Sequence, residues 1–173
     1  MKTVVIYNSQ TGFTKRYAEW IAQSTKADCF ELSTAKKKDL TVYETIIFGS
    51  WACAGGISKI KWFKKNIHKW ADKNLITFYV GASPIENPEI KTALKRIFNE
   101  SEQEKLKIFY CPGGFNYEKM PALSKLMMKT FIKMLKSKKN KTEKEQSMIK
   151  MISSSYDISD KKYIDPILQC LKK

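Results

Sequence analysis

The stretch Val4–Ala22 reads VVIYNSQTGFTKRYAEWIA, and its hydrophobic period changes in the middle. Lys2 to Tyr7, KTVVIY, is a short β-branched run of the kind buried in a parallel sheet. Phe13, Tyr17, Trp20 and Ile21 then recur at helical spacing. Between the two periods lie Ser9, Gln10, Thr11, Gly12, Phe13 and Thr14, a segment of hydroxyls, an amide and a glycine with no charge. A helix that starts here offers unpaired N–H groups and the positive end of its dipole, which together make an anion site. Ser9, Thr11 and Thr14 add hydroxyl donors, and Gly12 permits a close approach or a positive φ. The segment therefore suits a phosphate held by neutral donors. A plain capped βα turn favours the same residue types, so spacing alone leaves both readings open.

The pattern repeats along the chain. DCFELS (Asp28 to Ser33), ETIIFGS (Glu44 to Ser50), NLITFYVG (Asn74 to Gly81) and LKIFYC (Leu106 to Cys111) read as four further strands. Ile57, Ile60, Phe63, Ile67 and Trp70 mark an amphipathic helix. Asn87 and Pro88 open another as N-cap and N1, continued by Ile90, Leu94 and Ile97. Tyr163, Ile164, Ile167, Leu168 and Leu171 suggest a last helix beside Pro166. Strands alternating with helices predict an α/β fold, a parallel sheet covered on both faces. Ligands of such sheets bind outside the carboxyl ends of strands. The segments to watch are thus Ser9–Thr14, Ser50–Gly56, Ala82–Asn87 and Pro112–Tyr117.

Bulk properties narrow the class. A chain of 173 residues with 43% hydrophobic residues predicts one domain with one sizeable core. Its mean hydropathy of −0.42 and lack of long apolar runs predict no membrane span, and no secretory leader is expected. Cys29, Cys53, Cys111 and Cys170 are widely spaced and His68 is the only histidine, so no metal site is expected and reduced thiols in a cytoplasm are. The net charge of +15 favours an acidic partner, an anionic surface or nucleic acid, or else reflects a lysine-rich solvated surface. There is no GxxxxGK[ST], no GxGxxG after the first strand, and no aspartate ending the third strand to accept a phosphoryl group. No nucleophile–base arrangement is visible, so no catalytic side chain is named.

Two segments carry a family resemblance. VVIYNSQTGFTKRYAEWIA resembles the flavodoxin phosphate-loop signature, T-G-x-T opening the first helix, and IIFGSWACAGGISKIKWFKKN (Ile46–Asn66) is similar to the family's flavin-lining loop. The resemblance runs from Lys2 to about Tyr117. It implies a flavodoxin-like, doubly wound, five-stranded parallel sheet of order 2-1-3-4-5. It also implies FMN, its phosphate at Ser9, Gln10, Thr11, Gly12, Phe13 and Thr14 and its ring between Ser50, Trp51, Ala52, Cys53, Ala54, Gly55 and Gly56 and a later loop. Gly114, Phe115 and Tyr117 are candidates for that loop. Trp51 is placed to cover a ring face or to pack as a core or rim residue. Gly55 and Gly56 either permit the peptide flip by which flavodoxins bond to the flavin's N5 or form a tight turn. Cys53 lies near the ring or is a bystander.

The tail YCPGGFNYEKMPALSKLMMKTFIKML (Tyr110–Leu135) resembles the flavodoxin-domain branch that includes menaquinone-dependent protoporphyrinogen oxidase, in which an insertion precedes the last helix. Here the insertion would span 118–156, and SKKNKTEKEQ within it reads as a charged, mobile loop. Met120, Leu123, Met127, Phe131 and Met134 fall on one face of a helix over 121–138, with Lys125, Lys129, Lys133 and Lys136 almost opposite. That face either packs on the domain or meets an anionic membrane surface or a partner groove. The expected function is FMN-dependent electron transfer or oxidoreduction with a redox partner protein or a quinone. The chain is expected in the cytoplasm or peripherally on a membrane. The alternatives are a quinone-linked dehydrogenase of the protoporphyrinogen oxidase kind and a flavin-free basic binding module. Nucleic-acid binding has only charge in its favour, since the chain lacks interleaved aromatic and basic residues.

Overall fold

The computed structural model describes residues 2–53 and 55–172. Five strands form the parallel core: β1 (Thr3–Tyr7), β2 (Asp28–Glu31), β3 (Thr45–Cys53), β5 (Asn74–Gly81) and β6 (Leu106–Pro112). Two-residue β4 (Gly56–Ile57) folds back antiparallel on β3, and β7 (Gly114–Phe115) pairs antiparallel with β8 (Tyr156–Asp157). The helices are α1 (Phe13–Thr25), α2 (Leu32–Ala35), α3 (Ile60–Ile67), α4 (Glu89–Ile97), α5 (Glu100–Lys105), α6 (Ala122–Ser137), α7 (Glu143–Ile152) and α8 (Asp165–Leu171). The main sheet runs β2-β1-β3-β5-β6, which is the expected 2-1-3-4-5 once the short β4 is set aside.

The sheet is apolar on both faces because helices cover both. Val5, Ile47 and Ile76 sit in one cross-strand row, all fully buried, under Tyr17, Ala18 and Ile21 of α1 and Ile167 of α8. Val4, Ile6, Ile46 and Phe48 point the other way, against Leu32 and Ala35 of α2 and Phe63 and Ile67 of α3. Phe48 and Phe63 stack there with ring centroids 5.0 Å apart.

Several local expectations are corrected. Leu32 and Ser33 leave the second strand and open α2. The third strand does not stop at Ser50 but runs on through Trp51 to Cys53, held by the returning β4. The helix after Asn87 begins at Glu89, whose N–H donates to the Asn87 side chain. SKKNKTEKEQ is not a loop throughout: it ends α6, and its second half opens α7 through a capping box between Thr142 and Glu145. The insertion is thus a helical hairpin whose two ends are tied together by β7 and β8. Among the described residues no helix is long and apolar enough to cross a membrane.

Candidate functional site

The carboxyl ends of β1, β3, β5 and β6 open onto a cavity of about 570 Å³ that is also lined by residues of α6 and α7. At its floor, β1 passes into α1 through Gly12, which caps the helix at φ 100° and ψ −20°. The Gly12 N–H donates to Ser9 Oγ at 3.2 Å, folding the segment onto itself. The Arg16 N–H reaches back to the Gly12 carbonyl at 3.0 Å, so the preceding amides of Phe13, Thr14 and Lys15 carry the unsatisfied N–H groups of the first turn. No acidic residue lies in that turn. Ser9, Gln10, Thr11, Phe13 and the buried Thr14 line the cavity.

Arg16, in the first turn of α1, is committed elsewhere. Its guanidinium donates to Asp157 Oδ2 at 2.5 Å and Ser159 Oγ at 2.6 Å. Burial pushes the Asp157 carboxyl up, but hydrogen bonds from Ser159 and Arg16 outweigh it and hold the group below the usual carboxylate range. Lys15, Arg16 and Lys119 line a second hollow beyond Gly12 and Phe115. The cavity wall itself, among the described residues, has no formally charged side chain. The donor set is therefore a neutral cradle of amides and hydroxyls with the helix dipole behind it.

The rest of the cavity wall is mostly apolar and aromatic. Trp51, Ala52 and Cys53 come from the end of β3, and Gly114, Phe115 and Asn116 from the turn after β6. Trp51 is half-buried, and among the described residues its ring stacks on no other. Phe115 is braced by Tyr117, with centroids 6.0 Å apart and planes at 16°, and by Tyr156 at 5.8 Å. Gly114 is forced: at φ 153° a Cβ would lie 2.0 Å from the Tyr156 carbonyl oxygen.

The remaining candidates from sequence lie off this wall. Ser50 is fully buried behind it, donating to the Ser58 carbonyl at 2.6 Å and accepting from Asn8 Nδ2 at 3.1 Å, and so locks the β3–β4 hairpin to the end of β1. Gly56 pairs with Cys53, and Gly55 turns the hairpin at φ 76°. Gly12 shapes the floor and faces the second hollow. Tyr117 lies behind Phe115 and donates its hydroxyl to the Ile152 carbonyl, tying the turn to the end of α7. Ala54 lies outside the described residues.

The wall also holds residues that the sequence reading did not assign to a site. Val80 and Gly81 end β5, Ala82 opens the expected loop Ala82–Asn87 after it, and Met120, Ser124, Met127, Met128 and Phe131 come from α6 and the approach to it. Met148 and Ile152 come from α7. The Met and Phe stripe was visible by helical spacing, but its placement against the sheet ends depends on tertiary contacts.

A doubly wound parallel sheet with unsatisfied amides and hydroxyls at the end of its first strand and aromatic side chains beside them places the candidate site where ligands of such sheets bind. A family model described as a flavodoxin domain matches residues 4–142, and the chain belongs to that family. Among solved structures, it is similar to a WrbA-like flavodoxin from Agrobacterium tumefaciens, with 26% identity over 61% of this chain and 74% of that one and a TM-score of 0.46. It is also similar to a flavoprotein in complex with FMN from Lactobacillus acidophilus, with 18% identity over 64% and 91% and a TM-score of 0.46. A third is oxidised flavodoxin 2 from Bacillus cereus, with 18% identity over 64% and 84% and a TM-score of 0.43. No curated protein matches the chain.

Proposed function

We propose that the chain binds FMN and works in electron transfer or oxidoreduction. The observation that carries this reading is a cavity of about 570 Å³ lined both by the neutral segment Ser9–Thr14 and by the aromatic side chains of Trp51 and Phe115. That volume lies within the roughly 300–1,000 Å³ of small-molecule sites. The amides of Phe13, Thr14 and Lys15 with the hydroxyls of Ser9, Thr11 and Thr14 would hold the phosphate. Trp51 and Phe115 would bound the ring, with Ala52, Cys53 and Gly114 beside it. When bound, the flavin supplies the redox chemistry. The chain's part is to hold it, orient it and keep water from its faces.

One observation favours a second reading, a quinone-linked dehydrogenase resembling the protoporphyrinogen oxidase branch. The outer wall is made of Met120, Met127, Met128, Phe131 and Met148, an adaptable apolar lining beside the ring slot. A visible absorption spectrum before and after adding FMN and desalting tests the shared premise. Retained flavin bands with tighter binding of FMN than of riboflavin are expected. A colourless protein that retains no added FMN overturns both readings and leaves a flavin-free binding module.

A further inference from the structure

We infer that α6 is a docking surface for an anionic lipid bilayer. A surface helix normally buries its apolar stripe, but only Leu135 of α6 is buried. Leu123, Leu126 and Met127 are 70%, 61% and 63% exposed, and Met134 is 52% exposed. These four are most of the exposed large hydrophobic side chains among the described residues. They form a ridge rather than scattered positions, and a ridge of this kind marks an interaction site.

Charge decides what covers it. From Lys119 to Lys141 there are eight lysines and no acidic residue. Lys129, Lys133 and Lys136 are exposed on the flank of the same helix. A second copy seated on the ridge by a two-fold axis would bring these like-charged rows together. A fluid anionic surface instead accepts both features at once: leucine and methionine side chains enter the acyl boundary while lysines reach the headgroups. At 16 residues, α6 is about 24 Å long, enough to lie along such a surface and too short to cross it. Met127 of the ridge and Phe131, itself 39% exposed, also line the cavity, so a docked α6 turns the cavity's lip toward the lipid. The inference stands on α6 and holds whether or not the cavity binds FMN.

The test is co-sedimentation of the full chain with vesicles of phosphatidylglycerol and phosphatidylcholine in equal parts, and with phosphatidylcholine alone. Binding to the anionic vesicles is expected at low salt and weaker at about 0.15 M salt. The triple variant Leu123→Ser, Leu126→Ser, Met134→Ser changes exposed positions off the cavity wall and is expected to lower partitioning by about a hundredfold. Lys129→Gln, Lys133→Gln, Lys136→Gln is expected to lower it similarly, at roughly fivefold per lysine. Circular dichroism checks that both variants fold. Wild-type protein left in the supernatant at low salt overturns the inference. So does a serine variant that still binds fully, because the bulk charge alone would then do the work. A dimer in sedimentation velocity that the serine variant dissolves assigns the ridge to a second copy and also overturns it. Flavin absorbance of the same samples reads the cavity separately.

Discussion

Replacing Gly12 by alanine puts a defined strain into the floor of the cavity. Gly12 sits at φ 100° and ψ −20°, far from the left-handed minimum near φ about +57° open to other residues. Holding a non-glycine residue in such a region costs about 1–3 kcal/mol. A Cβ at Gly12 meets nothing within 4 Å, so no steric clash adds to this and the whole effect is backbone strain. The cost must then surface in one of two places. If the loop keeps its shape without ligand, folding bears it, and the melting temperature falls by roughly 2–12 °C at about 2–4 °C per kcal/mol. If the loop relaxes when empty, melting is unchanged and FMN binding weakens by about 5- to 150-fold. The sum of the two effects is fixed at about 1–3 kcal/mol. Thermal melts with and without FMN, together with fluorescence titrations of FMN and riboflavin, measure both. Riboflavin lacks the phosphate and should lose less affinity than FMN. Gly55 is the control: it has φ 76°, open space around a Cβ and no place on the cavity wall. Gly55→Ala should lower the melting temperature and leave the FMN-to-riboflavin ratio unchanged. If Gly12→Ala leaves both melting and FMN affinity unchanged, the cradle does not depend on this backbone geometry and the reasoning fails.

Tyr17 is fully buried, donating its hydroxyl to the Pro112 carbonyl at 2.6 Å and accepting the Asp160 N–H at 3.2 Å. Tyr17→Phe leaves both partners unpaired and should cost about 1–3 kcal/mol, read as a lower urea midpoint at unchanged slope. The Asp157 carboxyl is depressed in the folded protein, so its contribution is complete above its unfolded value of about 3.9 and lost as pH falls through the folded one. Wild type and Asp157→Asn should therefore differ in melting temperature by a constant amount above about pH 5 and converge below about pH 4; a gap that persists in acid contradicts this. Trp51→Ala removes the free aromatic wall of the slot and should weaken FMN by roughly 2- to 12-fold, given about 0.5–1.5 kcal/mol for a ring pair beyond area burial, with unchanged affinity counting against a ring contact.

The sheet was readable because its signal is local. KTVVIY, TIIFG and NLITFYVG are apolar on both faces, and only a strand covered by helices on each side reads that way. The β1–α1 junction was readable for the same reason, since Ser9 to Thr14 are contiguous and the change of period falls inside them. What escaped was everything settled between distant segments. Ser50 reads as a site residue by its place in the loop, yet its hydroxyl is consumed by Ser58 and Asn8. Gly114 and Tyr156 meet across the whole insertion, and nothing in either neighbourhood announces β7 and β8. The α7 capping box was present as Thr142-Glu143-Lys144-Glu145, but a run of charges hid it. The apolar stripe of α6 shows the limit most clearly: spacing identifies a face, and only the fold determines which of its side chains line the cavity and which stay exposed.

The distribution of charge now has a physical sense. The chain carries +15, yet the wall of its main cavity has no charged side chain among the described residues, and Arg16 is turned away onto Asp157. Short-range and long-range electrostatics are thereby separated. A cation on the wall would favour the more negative form of any group bound there, and would do so at the few ångströms where screening is weak. Amides and hydroxyls satisfy a phosphate through directed hydrogen bonds without adding a net charge beside the slot. The lysines lie outside, where their summed field draws anions and anionic surfaces toward the molecule, and where salt attenuates it. Lys15, Arg16 and Lys119 line the adjoining hollow, which shares Thr11, Phe13, Phe115 and Asn116 with the cavity, but none of the three is on the cavity wall.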